Sequence, residues 1–524
     1  MHKYIFPRSL LLAAALTVSV CTASHAESTS WGDILAQSSM LAPGSANGLP
    51  LPNTVPYKTG TTLIVPQMRL DGSETTLMKL TIDMDGTWSA DVSEIPRFVG
   101  ERVDAGFDPT DADTLSCILQ KVSDYITTDD AIPGLAMRVD INGSSWRGVV
   151  GNSRRATEQP RLYSDSFRIG SISKVFTGTM ILLLEQDGLL NLDDTMESWF
   201  SGESWYANMP NGNQITVRQL LQHQSGLYNY TNNATLNRTM YVEPLHSYTP
   251  EDLLAVSFAG LATTPGDSPA YTNTGLILAG LLIEKITQKP AEQAIRDRIL
   301  VPLGLTNTMS GDDPDMPFPY AHGYAAVFDD ADAVYTFEDT SYFDPSVAWT
   351  AGMQISNIDD LVTAFKCQVS NSADCPVQLL TAATLAERNS YVHTPLYGEN
   401  VGYGLSVMDV CGIPYHVGAI PGYDSVVFYA SDLNGKGPVS IAISNNAYPQ
   451  KQGIINTYSA IETSWIAMQV ITELFPGNCN LKHYPLGQCG TTPLASETRE
   501  MAPWANMQGF TEAVLGIEPG RIGF

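Results

Sequence analysis

Hydrophobic and polar positions follow several different periods along the chain, and each period predicts a different element. The stretch Met1 to Ala26 opens with Lys3 and Arg8, continues through an apolar run from Leu10 to Val20, and ends in Ser24-His25-Ala26. A basic start, a short apolar core and a small-residue end form the pattern of a secretory signal peptide, with a core too short for a stable membrane span. Cleavage is expected after Ala26. The rival, a lipoprotein signal at Cys21, is disfavoured by Val20, where such signals usually carry a small residue. Residues 27–108 are rich in Pro, Gly, Ser and Thr, but Met78, Leu80, Ile82 and Met84 alternate with Lys79, Thr81 and Asp83 before the turn Asp85-Gly86. That period of two predicts a strand and a small β-rich extension.

From Pro109 the texture changes. Leu115 to Ile126 has helical spacing, and Leu135 to Ile141 and Trp146 to Gly151 read as strands joined at Asn142-Gly143, a strong hairpin signal. Ile172 to Gln186 and Gly275 to Ile286 read as buried helices. Ser425 to Ala430 and Val439 to Ser444 read as strands around Asn434-Gly435, followed by a helix from Ile454 to Phe475. Strands at both ends with helices between predict an α/β fold of the α+β kind: one antiparallel sheet assembled from distant parts of the chain, plus a helical insertion. The expected organisation is a signal peptide (1–26), a β-rich extension (27–108), a main unit (109–475) and a tail with little periodicity (476–524). The longest later apolar stretch, Thr274 to Ile283, falls short of the about 20 residues a membrane span needs, so no integral membrane segment is expected after signal removal.

Charge narrows the partners. With 28 basic against 55 acidic residues, the formal net charge is −27. A nucleic acid or an anionic bilayer would be repelled, because affinity for either rests on Lys and Arg neutralising phosphates. At 44% hydrophobic and 16% charged residues the chain can bury enough apolar surface to fold as a globule. Six cysteines follow the signal: Cys117, Cys367, Cys375, Cys411, Cys479 and Cys489. An even number in an exported chain favours disulfides. The pairs Cys367/Cys375 and Cys479/Cys489 are close enough to close small loops, but six cysteines allow about 15 connectivities and spacing does not choose among them. No C-x-x-C, H-E-x-x-H or H-x-H spacing occurs, so neither a metal nor a redox centre is expected.

Three short segments could carry chemistry. Ser171-Ile172-Ser173-Lys174 contains the one lysine preceded by serine at three residues. It opens a predicted helix, so Ser171 and Lys174 share a face one turn apart, and the helix start favours a developing negative charge. A serine hydroxyl needs a base to become a nucleophile, and a desolvated lysine amine can serve. The alternative is an N-cap serine with a solvent-facing lysine. Tyr271-Thr272-Asn273 follows the loop Thr264-Pro265-Gly266 and opens another buried helix. Its phenol could share a proton with an ammonium, and its amide could bind a substrate amide. Tyr230-Thr231-Asn232 has the same spacing but lies in a polar stretch, where Tyr230 is expected to be a loop aromatic. His416-Val417-Gly418 precedes Ala419 and a strand. A glycine on an edge strand lets a substrate backbone approach N–H groups that could complete an oxyanion hole.

The order S-x-x-K, Y-x-N, H-x-G resembles the penicillin-recognising serine hydrolases, in the branch of class C β-lactamases, secreted D-alanyl-D-alanine carboxypeptidases, D-aminopeptidases and related esterases. The segment Ile215 to Leu227, ITVRQLLQHQSGL, is similar to a family signature, as are Gly188 to Asp194, Pro302 to Leu305 and Ala351-Gly352 to Asp360-Leu361. The likeness runs from about Pro109 to Phe475. It implies a β-lactamase/transpeptidase-like fold, a sheet flanked by helices with an all-α lobe and the site between them. It implies Ser171 as nucleophile, Lys174 and Tyr271 as proton relay, Asn273, His416 and Gly418 as substrate-binding, and the N–H groups of Ser171 and Ala419 as oxyanion hole, with no metal or organic cofactor. Lys174 and His416 are expected as the cations of the cleft.

Two departures bear on substrate. Val417 stands where the family usually has a threonine hydroxyl, and Gly402 to Asp409 lacks the arginine that carboxypeptidases of this branch place on the preceding strand. Both losses disfavour a free carboxylate, since a buried anion needs charge-assisted partners. The sequence therefore predicts a secreted or periplasmic serine hydrolase acting through an acyl-enzyme on D-amino-acid peptides, amides or esters. The rivals are a D-alanyl-D-alanine carboxypeptidase proper and a non-catalytic homologue that binds cell-wall ligands or partners. A Ser-His-Asp hydrolase lacks its G-x-S-x-G signature.

Overall fold

The computed structural model describes residues 99–477 except 130–131, 268, 312, 330–333, 394–400 and 451–462, together with the strands at 49–50, 62–68, 75–82 and 87–91 and residues 486, 488 and 489. The signal-peptide stretch 1–26, the first nine residues of the helix expected from Ile454, and most of the tail lie outside the described residues.

The chain divides into two compact units, Met1–Arg97 with Arg155–Gln159, and Phe98–Arg154 with Pro160–Phe524. In the first, the alternating segment forms the strand Thr75–Ile82, which pairs antiparallel with Thr87–Asp91 and with Thr62–Met68 in a four-stranded sheet. In the second, nine strands run in the order Val392–His393, Val401–Tyr403, Met408–Val410, Ile413–Ile420, Tyr423–Ala430, Val439–Asn445, Gly134–Ile141, Ser144–Arg154, Val99–Val103. Every neighbouring pair is antiparallel. Distant parts of the chain meet where Ile441 pairs with Val139. The strand Val99–Val103, which precedes the Pro109 read from the sequence as the start of the main unit, lies in this sheet.

The sheet is buried on both faces, and alternation along the Tyr423–Ala430 strand shows how. Val427 and Tyr429 join a core shared with the helices Ser173–Gln186, Thr274–Thr287 and Ile358–Val369. Val426 and Phe428 join a second core with the helices Pro109–Asp129 and Thr463–Leu474. A strand covered on both faces has no solvent side, which is why Val426 to Ala430 reads as a continuous apolar run.

The disulfides differ from the simplest spacing. Cys367 pairs with Cys375 at the end of the Ile358–Val369 helix. Cys489 pairs with Cys117, 372 residues away, so the Cys479/Cys489 pairing suggested by proximity does not form. The tail packs back near its cysteine: Leu486 and Cys489 lie against the second core, and Glu473 accepts from the Cys489 N–H. Packing decided this pairing, which chain distance could not reveal.

Candidate active site

Ser171 sits in a one-turn 3-10 helix, Gly170–Ile172, that runs directly into the helix Ser173–Gln186. The Ile413–Ile420 strand packs against that turn, and two glycines make the approach possible. A Cβ at Gly170, whose φ is +49°, would lie 2.9 Å from the Ala419 N and O atoms; one at Gly418 would lie 1.9 Å from the Ile169 carbonyl oxygen. This contact brings the backbone of Ala419 beside the nucleophile segment. The strand is an edge only where the motif lies. Ile413–Tyr415 pair with Met408–Val410 on one side, whereas among the described residues His416–Ile420 pair only with the Tyr423–Ala430 strand.

Lys174 is wholly buried. Its Nζ lies 2.9 Å from Ser171 Oγ and donates to the Ala351 carbonyl at 2.7 Å, with the Tyr271 ring centroid 5.0 Å away. Burial pushes the Lys174 amine well below the ordinary ammonium range. Tyr271 is 5% exposed, whereas Ser171, Asn273 and Ala419 are half-buried. The sequence-predicted Ser171, Lys174 and Tyr271 are thus brought together.

Asn273 stands at the start of the Thr274–Thr287 helix. Its Nδ2 donates to Thr231 Oγ1 at 3.0 Å and its main-chain N–H to Asn229 Oδ1. The rejected look-alike motif is therefore a support for the chosen one. Tyr230 is a core residue rather than a loop aromatic, with its hydroxyl donating to the Val347 carbonyl.

His416 departs from expectation. Its ring is wholly buried, with Nε2 3.1 Å from the Tyr403 hydroxyl and Nδ1 2.6 Å from the Val417 carbonyl. Nδ1–H must donate to that carbonyl, which leaves Nε2 to accept from Tyr403. Burial, with Lys174 adding to it, holds the ring at a pKa of about 3. His416 is a neutral support, not a cation of the cleft. A low dielectric disfavours charge on both basic groups.

His223 and Tyr403 escaped the sequence reading as site residues. His223 lies within the quoted ITVRQLLQHQSGL segment, but nothing in its periodicity marks it. That segment folds locally through a capping box: Gln219 N–H donates to Thr216 Oγ1, and Thr216 N–H donates to Gln219 Oε1. The short helix Val217–Leu221 then delivers His223 to the site, its ring 4.2 Å from that of Tyr271 and 4.3 Å from that of Tyr403.

Two buried arginines are committed elsewhere. Arg168 donates to the Pro314 carbonyl and lies over the Phe343 ring, and Arg388 donates to Thr179 Oγ1 and to the Val175 and Gln368 carbonyls. Both are 0% exposed. Val417 is also buried, in the second core with Tyr271 and Tyr403. Among the described residues no group of three or more His, Cys, Asp or Glu side chains is placed to hold a metal ion.

The chain is similar to several known proteins. A D-stereospecific amidohydrolase from Streptomyces sp. is 32% identical, with a TM-score of 0.55, over 63% of this chain and 94% of that one. Esterase EstB from Burkholderia gladioli is 23% identical over 355 residues, 60% of this chain and 88% of its own length. Penicillin-binding protein 4 from Amycolatopsis lactamdurans is 27% identical over 191 residues, 36% of this chain. The chain spans about half the length of the first curated relatives it matches, 48% in that case. The Beta-lactamase family model matches residues 120–463. With the antiparallel sheet, the helices packed on its two faces and that match in place, the chain belongs to the β-lactamase family of serine hydrolases and has its β-lactamase/transpeptidase-like fold.

Proposed function

We propose that the protein is an active, extracytoplasmic serine hydrolase that forms an acyl-enzyme on Ser171 and acts on D-amino-acid amides, short peptides or esters. The observation that carries this is the contact between Ser171 Oγ and a buried Lys174 amine. In its neutral form that amine has a lone pair for the Ser171 proton while its N–H stays on the Ala351 carbonyl. Oγ then bonds to the substrate carbonyl carbon, and the oxyanion is held by the N–H groups of Ser171 and Ala419. The proton passes through Lys174 and Tyr271 to the leaving amine or alcohol, breaking its bond to the acyl carbon. Water, losing its proton to the same pair, attacks the ester and frees Ser171. Asn273 and the Gly418 edge orient the substrate, and His416 supports the strand from behind. The route uses only side chains and main-chain N–H groups, so it calls for no cofactor.

Substrate class rests on what the site lacks and on its relatives. Val417 offers no hydroxyl, and the buried guanidinium groups of Arg168 and Arg388 offer no charge to a bound carboxylate. The D-stereospecific amidohydrolase and the esterase, both matched over most of their lengths, point to acyl donors without that carboxylate. The signal-like N-terminus and the disulfides support an exported location. The catalytic unit is taken as residues 98–475, with 27–97 as an extension and 476–524 as a tail.

A parallel turnover panel tests the assignment: p-nitrophenyl butyrate, a D-alanyl p-nitroanilide, an acyl-D-Ala-D-Ala peptide and a cephalosporin. Ester and D-anilide turnover above D-Ala release, with all of it lost in Ser171→Ala, is the expected result. Fast release of terminal D-Ala would assign a carboxypeptidase instead.

A further inference from the structure

His223 is buried beside the proposed relay, yet the acyl-enzyme route leaves it unused. Its contacts bracket Tyr271. The Ala270 N–H donates to the His223 carbonyl at 2.8 Å, the Thr272 N–H donates to His223 Nδ1 at 3.3 Å, and the ring packs between those of Tyr271 and Tyr403. Since Nδ1 accepts, the proton of the neutral ring is on Nε2. That N–H is buried and finds no hydrogen-bond acceptor among the described residues. The backbone carries a second unfavourable feature, a φ of +56°. Strain and an unmet donor at one buried residue are poor choices for stability alone, and such outliers cluster where geometry serves function. Burial, with Lys174 and His416 nearby, also keeps the ring neutral.

We propose that His223 is a positioning residue for the Ser171 reaction. With its carbonyl, its Nδ1 and its ring face it fixes the Tyr271 phenol against Lys174. Through Tyr403 and His416 it ties that phenol to the strand carrying Ala419, since Tyr403 O–H donates to His416 Nε2 and His416 Nδ1–H to the Val417 carbonyl. This role rests on the hydrolase reading above. His223 itself touches no reacting atom.

Two substitutions separate its parts. His223→Phe keeps a ring and removes the acceptor; His223→Asn keeps an acceptor, tolerates the positive φ and removes the ring. Each is expected to lower kcat for p-nitrophenyl butyrate about 10- to 100-fold while KM changes less than about threefold. In a Tyr271→Phe background the His223→Phe loss should shrink to less than about twofold, because the two residues act as one unit. A folded His223→Phe protein with wild-type kcat, or an equal loss with and without the Tyr271 hydroxyl, overturns the proposal. A nitrogen-15 spectrum of the wild-type histidines needs neither variant nor turnover: His223 should stay the neutral Nε2–H tautomer from about pH 5.5 to 8. A proton on Nδ1, or a titration in that range, overturns it even if both variants misfold. Wild-type protein that no fluorophosphonate modifies at Ser171 removes the hydrolase reading and the positioning role with it, whatever the tautomer.

Discussion

Lys174 can take the Ser171 proton only as a free amine, and burial supplies that state by making its ammonium form costly. A lowered pKa means that the amine loses its proton at a lower pH, so kcat/KM for p-nitrophenyl butyrate should rise with pH along an acid limb set by the coupled Lys174–Tyr271 pair. His416, held down to about 3, should add nothing to that limb. A profile from about pH 5 to 9 checks both statements. An acid limb that His416→Gln removes would contradict them. At this scale the site was half legible. Ser171 and Lys174 were readable because one helical turn brings i and i+3 together, but neutrality of His416 depends on the Tyr403 hydroxyl and on a depth of burial that no spacing encodes.

Elements are held in register by side chains that cross between them. Asp424, on the Tyr423–Ala430 strand, accepts from the Thr463 N–H at 2.7 Å and its hydroxyl at 2.9 Å, anchoring the first turn of the Thr463–Leu474 helix. Burial raises the Asp424 carboxyl to about 6, against the hydrogen bonds that pull it down. A folded-state pKa above the unfolded value favours the protonated form on folding. Its contribution is therefore fully present below the ordinary carboxyl pKa and is lost as pH rises through about 6. Urea unfolding across that range should show wild-type stability falling relative to Asp424→Asn. Asp424→Ala, which leaves the Thr463 donors unmet, should cost about 1–3 kcal/mol. A pH-independent difference between wild type and Asp424→Asn would contradict the linkage. Element types were legible where both cores press on a segment, as at Val426 to Tyr429. The Val99–Val103 strand was not, because its pattern, Val-Gly-Glu-Arg-Val, is that of an exposed sheet edge with no apolar face.

At the scale of the whole molecule, the helix–sheet–helix layering turns distant motifs into one site. The residue-120-to-463 family match covers the first core and only part of the second, and the Cys117–Cys489 bond ties the tail to the first long helix. The fold class was readable from strands at both ends of the main unit; the disulfide partner was not, since closure over 372 residues is decided by packing. The net charge of −27 sets the field around the cleft, and with Lys174 and His416 both disfavoured as cations the site has less positive charge than its sequence implied. That is consistent with the proposed neutral or cationic acyl donors. No helix among the described residues is long and apolar enough to cross a membrane. The most direct test of the central claim is covalent labelling of the purified protein with a fluorophosphonate, followed by intact-mass measurement and peptide mapping. One adduct per chain, on Ser171 and absent from Ser171→Ala, is the predicted result; an unmodified chain, or an adduct that persists on another residue in Ser171→Ala, would contradict it.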